Sequence, residues 1–239
     1  MQIEVTQPAG NEGLIFVVDG LIDPDLCDEL LIRLDSVWSY SHDGKTLGGV
    51  DYGTKTTEDL HFSERAFIEA EMQWDSRWGE LENHFATALG SAVAMYKQQY
   101  RHLDDWLSVA DTGFQVQKYQ KMFGYYRPHM DSFPGSMVHN RVLGSVTYLN
   151  TVDFGGETNF PLHNVKVQPK AGRIALFPAV WTHPHESCVP ITGDKWIISS
   201  FIINADMVPP QNFEHPENHD HPHGEGDHTH EPPPFVYTP

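Results

Sequence analysis

The spacing of apolar residues changes part-way along the chain, and this change limits the possible folds more than any other feature. Over residues 63–100, large apolar side chains recur every three or four positions, which is typical of helices. From residue 114 the pattern alternates or forms short apolar runs, which is typical of strands, and Gly- and Pro-containing turn signals separate the runs. Helices followed by about seven or eight short strands predict a β-barrel or jelly roll braced by helices.

The N-terminal half contains the signals for the bracing elements. The apolar run 14–18 ends at Asp19-Gly20 and predicts a buried strand followed by a turn. Asp23-Pro24 predicts an N-cap with proline at the first helical position, and leucines follow on one helical face at positions 26, 30, 31 and 34. Residues 41–59 are rich in Gly, Asp and Thr and are expected to form a long loop. Residues 63–100 predict two helices, or one helix broken near Asp75.

Charge and cysteine usage exclude several classes of function. The chain has 15 Lys and Arg against 33 Asp and Glu, which gives a formal net charge of −18. Such a chain should be repelled by phosphate backbones and anionic lipids, so we expect neither nucleic acid nor membrane as a partner. The N-terminus shows no secretory signal, and the two cysteines, Cys27 and Cys188, suit a reducing compartment. The expected location is therefore cytoplasmic.

The composition changes again near residue 207. From residue 209 the chain contains eight prolines, six histidines and six acids, with no Lys or Arg. This segment cannot bury enough apolar surface to fold, so we expect residues 209–239 to be a disordered tail. The remaining residues, 1–208, are expected to form one domain with helical support over 1–110 and a β-rich core over 111–208. The tail is either solubilising or a loose site for extra metal, because neutral imidazoles bind several transition metals in such tracts. Its histidines are His215, His219, His221, His223, His228 and His230.

A histidine and an acid stand two positions apart in the β-rich half. His129 and Asp131 would share one face of a strand, because alternate side chains of a strand point the same way. Either His183 or His185, further along the chain, could supply a third ligand. Two histidines and a carboxylate on one face of an octahedron are the ligands of non-haem Fe(II) oxygenases. The alternative is a hydrogen-bonded pair on a sheet with no metal.

A lysine begins the last apolar strand. Lys195 opens the run Lys195-Trp196-Ile197-Ile198. A lysine that faces a barrel interior is costly unless an anion meets it, and a dicarboxylate cosubstrate could supply that anion in a charge-assisted pair. The alternative is a side chain at a strand end that reaches water.

These pieces resemble the prolyl 4-hydroxylase-like branch of the Fe(II)/2-oxoglutarate dioxygenases, whose fold is a double-stranded β-helix. The matching segments appear in the family's order between positions 119 and 201: Tyr119, Gly124-Tyr125-Tyr126-Arg127-Pro128-His129-Met130-Asp131, Arg141, Thr147-Tyr148-Leu149-Asn150, Gly155-Gly156-Glu157-Thr158-Asn159-Phe160, Pro169-Lys170-Ala171-Gly172-Arg173, His185 and Lys195. The resemblance implies an α+β fold: a double-stranded β-helix (jelly roll) with supporting N-terminal helices and a disordered C-terminal tail. It also implies oxidative decarboxylation of 2-oxoglutarate, with hydroxylation of proline in a peptide or protein and release of succinate and CO2.

The resemblance also assigns roles to residues. The implied Fe(II) ligands are His129, Asp131 and His185, and the ten-residue spacing to Lys195 favours His185 over His183. The implied 2-oxoglutarate contacts are Lys195, at the distal carboxylate, with Tyr119 and Thr147. No catalytic side chain is expected beyond the metal centre. The implied reactants are 2-oxoglutarate and O2, with ascorbate as reductant.

Contacts with the substrate are less specified. The candidates are Arg141, Glu186 and Tyr126, although Arg141 could instead form a structural ion pair and Tyr126 could be a packing residue. Glu186-Ser187 stands where this branch often has Arg-Gly or Gly-Gly, and the carboxylate could alter substrate preference or lie in solvent. Two alternative functions remain: a hydroxylase of a free amino acid or another side chain, and a non-catalytic jelly-roll binding module.

Overall fold

The computed structural model describes residues 2–6, 14–62, 76–103, 109–136 and 138–205. Two helices are present in these ranges, α1 (Pro24–Val37) and α2 (Ser76–Gln99), with short 3-10 helices at Trp38–Tyr40 and Arg101–Leu103. The strands are β1 (Glu4–Thr6), β2 (Phe16–Asp19), β3 (His42–Asp43), β4 (Lys45–Thr46), β5 (Gly49–Val50), β6 (Lys55–Thr56), β7 (Glu58–His61), β8 (Val109–Asp111), β9 (Gln115–Tyr119), β10 (Tyr125–His129), β11 (Arg141–Tyr148), β12 (Thr158–Phe160), β13 (Val165–Val167), β14 (Ile174–Pro178), β15 (His185–Ser187) and β16 (Lys195–Asn204). The predictions for residues 63–75 and for the tail 209–239 lie outside the described residues.

Two antiparallel sheets form the body of the fold. The larger has nine strands in the order β1-β2-β14-β11-β16-β9-β7-β3, with β8 paired to β16, and the smaller has five in the order β13-β12-β15-β10-β6. Side chains of both sheets share one apolar core: Phe160 of β12 packs edge-on against Phe177 of β14, with ring centroids 4.9 Å apart. The strands therefore close into the predicted jelly roll.

The helices cover the outer face of the larger sheet. Helix α1 begins as predicted, with the Asp23 side chain accepting a hydrogen bond from the Asp25 N–H at 3.1 Å and proline in the first turn. Leu30 of α1 and Phe85 of α2 are buried in the same cluster as Ile198 of β16. Their packing braces the larger sheet, whose other face contributes side chains to the barrel interior. Neither of the two described helices is long and apolar enough to cross a membrane.

The prediction of a long loop over residues 41–59 is wrong. This segment forms β3 to β6 and the start of β7, which place it in both sheets and in a separate hairpin of β4 and β5. Its partners are distant in sequence, since Lys55 pairs with Tyr126 and Leu60 pairs with Val116. Local composition therefore did not reveal these strands.

An ion pair between the buried Asp19 and the partly buried Arg173 joins β2 to the start of β14, and its loss should be costly. Asp19 lies 2.8 Å from Arg173 Nε and 2.8 Å from Lys170 Nζ. We expect Asp19→Ala to lower the free energy of unfolding by about 3 kcal/mol, because it leaves the partly buried Arg173 without its carboxylate. Urea unfolding measures this, and the exposed Asp153→Ala should change stability by less than about 0.5 kcal/mol.

The same pair should make stability depend on pH. Burial raises the pKa of Asp19, but hydrogen bonds from Arg173 and Lys170 outweigh burial and hold the pKa below 3.8. The stabilisation is therefore present above pH 3.8 and is lost as the pH falls through the folded-state pKa. The stability difference between wild type and Asp19→Ala should shrink at acid pH, and a constant difference would show that the carboxylate charge is unimportant.

Candidate metal centre

Three predicted ligands converge at one end of the smaller sheet. His129 closes β10, His185 opens β15, and the two residues face each other in antiparallel register. Asp131 follows β10, with Oδ1 at 3.6 Å from His129 Nε2 and Oδ2 at 3.5 Å from His185 Nε2. One ligand atom from each residue lies within 4.8 Å of the others. The structure thus brings together residues separated by more than fifty positions.

Backbone carbonyls orient both imidazole rings. His129 Nδ1 lies 2.8 Å from the carbonyl of Arg127, and His185 Nδ1 lies 3.2 Å from the carbonyl of His183. Because a carbonyl can only accept, each Nδ1 carries the proton and each Nε2 presents a lone pair towards Asp131. Hydrogen bonds of this kind fix the orientation of metal-binding histidines.

The protonation states fit a divalent cation. Burial and the neighbouring His185 lower the pKa of His129 to about 4, and burial lowers the pKa of His185 to about 4. Both rings are therefore neutral near pH 7, the state that binds metal. Burial raises the pKa of Asp131, since its carboxylate lies in a low-dielectric site. A cation at this point would offset that unfavourable charge, and the donor set is the one that Fe(II) uses.

The structure distinguishes between the two candidates for the third ligand, since His185 joins the ligand cluster and His183 does not. His183 is 1% exposed and its ring stacks on His163 with centroids 4.2 Å apart, outside the ligand cluster.

Tyr126 also lies beside the ligands, and its ring stacks on His129 with centroids 3.5 Å apart. A register irregularity between Tyr126 and His129 allows both side chains to reach the site, although three positions separate them.

Lys195 lies deeper in the same cavity, which has a volume of about 60 Å³ and is also lined by the three ligands. The side chain is 1% exposed, and Nζ lies 4.0 Å from the ring centroid of Tyr119 and 3.0 Å from the carbonyl of Gly156. Nζ also donates to the Ser187 hydroxyl. Burial lowers the pKa of Lys195 to about 7. No carboxylate of the described residues forms an ion pair with this ammonium, so the cavity suits an incoming anion.

Comparisons with known proteins agree with this geometry. Residues 114–203 match the family model of the 2OG-Fe(II) oxygenase superfamily. This match covers 90 of the 239 residues, so the β-rich region of the chain is similar to this superfamily. Over 115 residues it is 29% identical to prolyl 4-hydroxylase 13 of Arabidopsis thaliana, an alignment that covers 37% of this chain and 42% of that protein. The matched region therefore spans less than half of that relative's length. Fe(II) and 2-oxoglutarate are the cofactors that the superfamily implies.

Two solved structures share the fold. A prolyl hydroxylase from Trichoplax adhaerens, in complex with a peptide fragment of the hypoxia inducible factor oxygen degradation domain, aligns with a TM-score of 0.63 at 16% identity, covering 82% of this chain and 86% of that chain. The viral collagen prolyl hydroxylase of Paramecium bursaria Chlorella virus-1, in its 2OG complex, aligns with a TM-score of 0.57 at 16% identity, covering 82% of this chain and 98% of that chain. Both likenesses concern the fold.

Two predicted contact residues, Thr147 and Glu186, do not direct their polar groups towards Lys195 or the three ligands. Thr147 alternates on β11 with Val146 and Tyr148, which face the barrel core, so its side chain lies on the opposite face of the sheet and not beside Lys195. Glu186 is among the residues that line the cavity, but it alternates with its buried neighbours on β15, and its carboxylate accepts a hydrogen bond from Asn159 at 2.6 Å. The physical reason is the same in both cases: a shift of one position along a strand reverses the face.

Ser187 lines the cavity, although the sequence did not lead us to predict it as a site residue. It lies two positions after the ligand His185 on the same strand, so its hydroxyl faces the cavity beside Lys195. The spacing of two from a strand ligand was the signal that could have identified it.

A wider cavity of about 380 Å³, here called the mouth, opens outward from the ligands. Arg141 and Tyr126, both predicted to contact substrate, line the mouth, whereas Glu186 does not. The other residues that line the mouth are Lys45, Thr46, Leu47, Gly48, Thr54, Lys55, Gln115, Gln117, His129, Met130, Asp131, Phe133, Ser199 and Phe201.

Proposed function

We propose that this chain is an Fe(II)/2-oxoglutarate-dependent hydroxylase that acts on proline in a peptide or protein. The observation that carries the proposal is the position of Lys195, a buried ammonium in the same cavity as two neutral imidazoles and a carboxylate. Fe(II) with 2-oxoglutarate and O2 would supply oxidative decarboxylation to succinate and CO2, coupled to hydroxylation of the substrate. A jelly roll that binds no anion here would leave this ammonium buried without a charged partner, which is costly.

The chain's own residues would bind and orient the reactants. His129, Asp131 and His185 would hold the metal through atoms that already face one another. Lys195 would pair with the distal carboxylate of 2-oxoglutarate, and the Tyr119 ring would shield that pair from water. The apolar core behind the cavity excludes bulk solvent and strengthens the electrostatic contacts.

Proline as the target is supported by the prolyl hydroxylases among the relatives and by the open mouth. The mouth is lined by amide and hydroxyl side chains, including Gln115, Gln117 and Ser199, which suit the backbone of a peptide. We also propose ascorbate as the reductant that keeps iron in the ferrous state.

The test measures succinate release by purified protein with Fe(II), 2-oxoglutarate, O2 and ascorbate. We expect metal-dependent release that increases with proline-containing peptides, and mass spectrometry should find one added oxygen on proline. The same peptides with alanine in place of proline are the control. Absence of any metal-dependent decarboxylation would contradict the hydroxylase proposal, whereas turnover with no peptide oxidation would contradict proline as the target.

A substitution of Ser187 tests whether the distal carboxylate of 2-oxoglutarate binds beside Lys195. Loss of its hydroxyl in Ser187→Ala should weaken 2-oxoglutarate affinity by about five-fold, since one hydrogen bond contributes about 1 kcal/mol. Calorimetry with Mn(II) in the absence of O2 measures this. An analogue that lacks the distal carboxylate, 2-oxobutyrate, should bind both proteins equally. Ser200→Ala is the matched control, because Ser200 lies on the other face of β16 and its hydroxyl has no partner among the described residues.

A further inference from the structure

The mouth is cationic in a protein that is strongly anionic. The chain carries a formal net charge of −18, yet three lysine and arginine residues line the mouth, Lys45, Lys55 and Arg141. The single carboxylate in that lining is the ligand Asp131, which a divalent cation would neutralise. A concave site with one sign of charge concentrates ligands of the opposite sign.

One of these three cations is neutralised within the protein. Lys55 Nζ lies 2.7 Å from Asp59 Oδ2, and the two side chains are 2% and 0% exposed. The Thr57 hydroxyl donates to the other carboxylate oxygen of Asp59 at 2.8 Å. The Lys55–Asp59 pair is therefore a complete buried unit, and the excess positive charge of the mouth comes from Lys45 and Arg141.

Arg141 is held in place without a carboxylate partner among the described residues. Its guanidinium lies 3.5 Å from the ring centroid of Phe201, and Nη1 donates to the backbone carbonyl of Asp131 at 3.2 Å. A register irregularity between Arg141 and Leu143 turns the start of β11 at this point. A guanidinium has five N–H donors in a planar fork that matches a carboxylate, so most of its donors remain for a ligand.

Lys45 approaches the mouth from a different element. It opens β4, which pairs with β5 as a separate two-stranded hairpin, and its side chain is exposed. No carboxylate of the described residues forms an ion pair with it. The mouth thus presents one oriented cation on the barrel and one adaptable cation on the hairpin.

We propose that the mouth selects an acidic peptide, in which a Glu or Asp lies next to the target proline and its carboxylate pairs with Arg141, assisted by Lys45. This rests on the proposed hydroxylase function and specifies its substrate class. The shape of Arg141 favours a carboxylate over a backbone carbonyl, because only a carboxylate accepts two parallel hydrogen bonds and carries the complementary charge. A neutral or basic neighbour of the proline would leave both cations without a partner.

Binding of two matched peptides tests the proposal. The probes are a fluorescent peptide with the sequence of residues 229–235, Thr-His-Glu-Pro-Pro-Pro-Phe, and the same peptide with Gln in place of Glu. Anisotropy is measured on the full chain with Mn(II) and 2-oxoglutarate in the absence of O2. We expect the Glu peptide to bind about ten-fold more tightly, as for one charge-assisted hydrogen-bonded pair.

Variants assign that preference to the two cations. Arg141→Gln should reduce the ratio of the two affinities to about one, and Lys45→Glu should lower it by about three-fold or more. Lys121→Gln makes a matched charge change on an exposed residue outside the mouth and should retain the ratio. The ratio is informative even if Arg141→Gln disturbs Asp131, because a merely structural effect weakens both peptides alike.

The opposing results are equally defined. Equal affinity of the two peptides for wild type, no binding of either peptide, or a ratio retained in Arg141→Gln would overturn the proposal. Decarboxylation of 2-oxoglutarate without peptide is measured on the same preparations with O2. It distinguishes failure of the acidic-substrate proposal from failure of the hydroxylase proposal. Turnover without discrimination between peptides would reject only the acidic substrate, whereas discrimination without turnover would reject the hydroxylase function and keep the peptide site.

Discussion

Replacing Asp131 with asparagine is expected to weaken divalent-metal affinity by more than about 100-fold. A change in a hydrogen-bond partner of a metal ligand already costs about 10–100-fold, and Asp131→Asn removes a charged ligand itself. The carboxylate is the sole anion of the three ligands, so the two neutral imidazoles that remain cannot balance a cation. Metal-dependent decarboxylation should fall below detection at metal concentrations that saturate wild type.

Unfolding measurements test this without relying on activity. Mn(II) at 100 times its Kd should stabilise wild type by about 2.7 kcal/mol, and at the same concentration a 100-fold weaker site gains only about 0.4 kcal/mol. The metal-free Asp131→Asn protein should be at least as stable as wild type, because the change removes a buried charge. The exposed Asp153→Asn is the control. Full stabilisation of Asp131→Asn by Mn(II) would show that Asp131 is not a ligand.

The sequence predicted the ligand set better than it predicted the reason for its geometry. The spacing of two positions predicts that His129 and Asp131 lie in one strand, but β10 ends at His129. Asp131 is instead positioned by its own N–H, which donates to the carbonyl of Ala179 at 3.0 Å. The contact comes from a segment nearly fifty positions away, so local periodicity could not reveal it.

The predictions for Thr147 and Glu186 failed because the sequence does not show which face of its strand each side chain occupies. Thr147 lies on the face of β11 opposite the cavity, and Glu186, which does line the cavity, directs its carboxylate to Asn159. Correct phase depends on which neighbours are buried: Tyr148 and Ser187 face inward because they pack beside Thr158 and Lys195. Those pairings are non-local, whereas helix α1 was predictable because its cap and its apolar face lie within one continuous segment.

The affinity for 2-oxoglutarate is expected to fall as the pH rises through about 7. Burial lowers the pKa of Lys195 to about 7 in the protein without cosubstrate, and a carboxylate binds the ammonium form. Above that pKa, each pH unit should weaken binding by up to about ten-fold, because the ammonium must first take up a proton. Calorimetry with Mn(II) in the absence of O2, over a pH series on both sides of 7, measures the effect.

Two substitutions at position 195 separate charge from shape. Lys195→Met should lose about 3 kcal/mol of binding energy, about 150-fold in Kd, and should show little pH dependence. Lys195→Arg stays charged throughout, so its affinity, whatever its value, should not fall near pH 7. Lys121→Met, on the exposed surface, should behave as wild type. Constant wild-type affinity across the series would show that the ammonium is not the partner of the cosubstrate.

The stability of the cosubstrate-free protein should follow the opposite trend. Because the folded-state pKa of Lys195 lies at about 7 and the ordinary value is 10.5, the unfolded state binds the extra proton between these values. The contribution of this group to stability therefore rises with pH across that window, and it is least favourable below pH 7. Wild type should be less stable than Lys195→Met below pH 7, and the gap should narrow as the pH rises. Binding of 2-oxoglutarate thus requires the charged form of Lys195, whereas folding without cosubstrate favours the neutral form. The carboxylate of bound 2-oxoglutarate would stabilise the charged form by pairing with it.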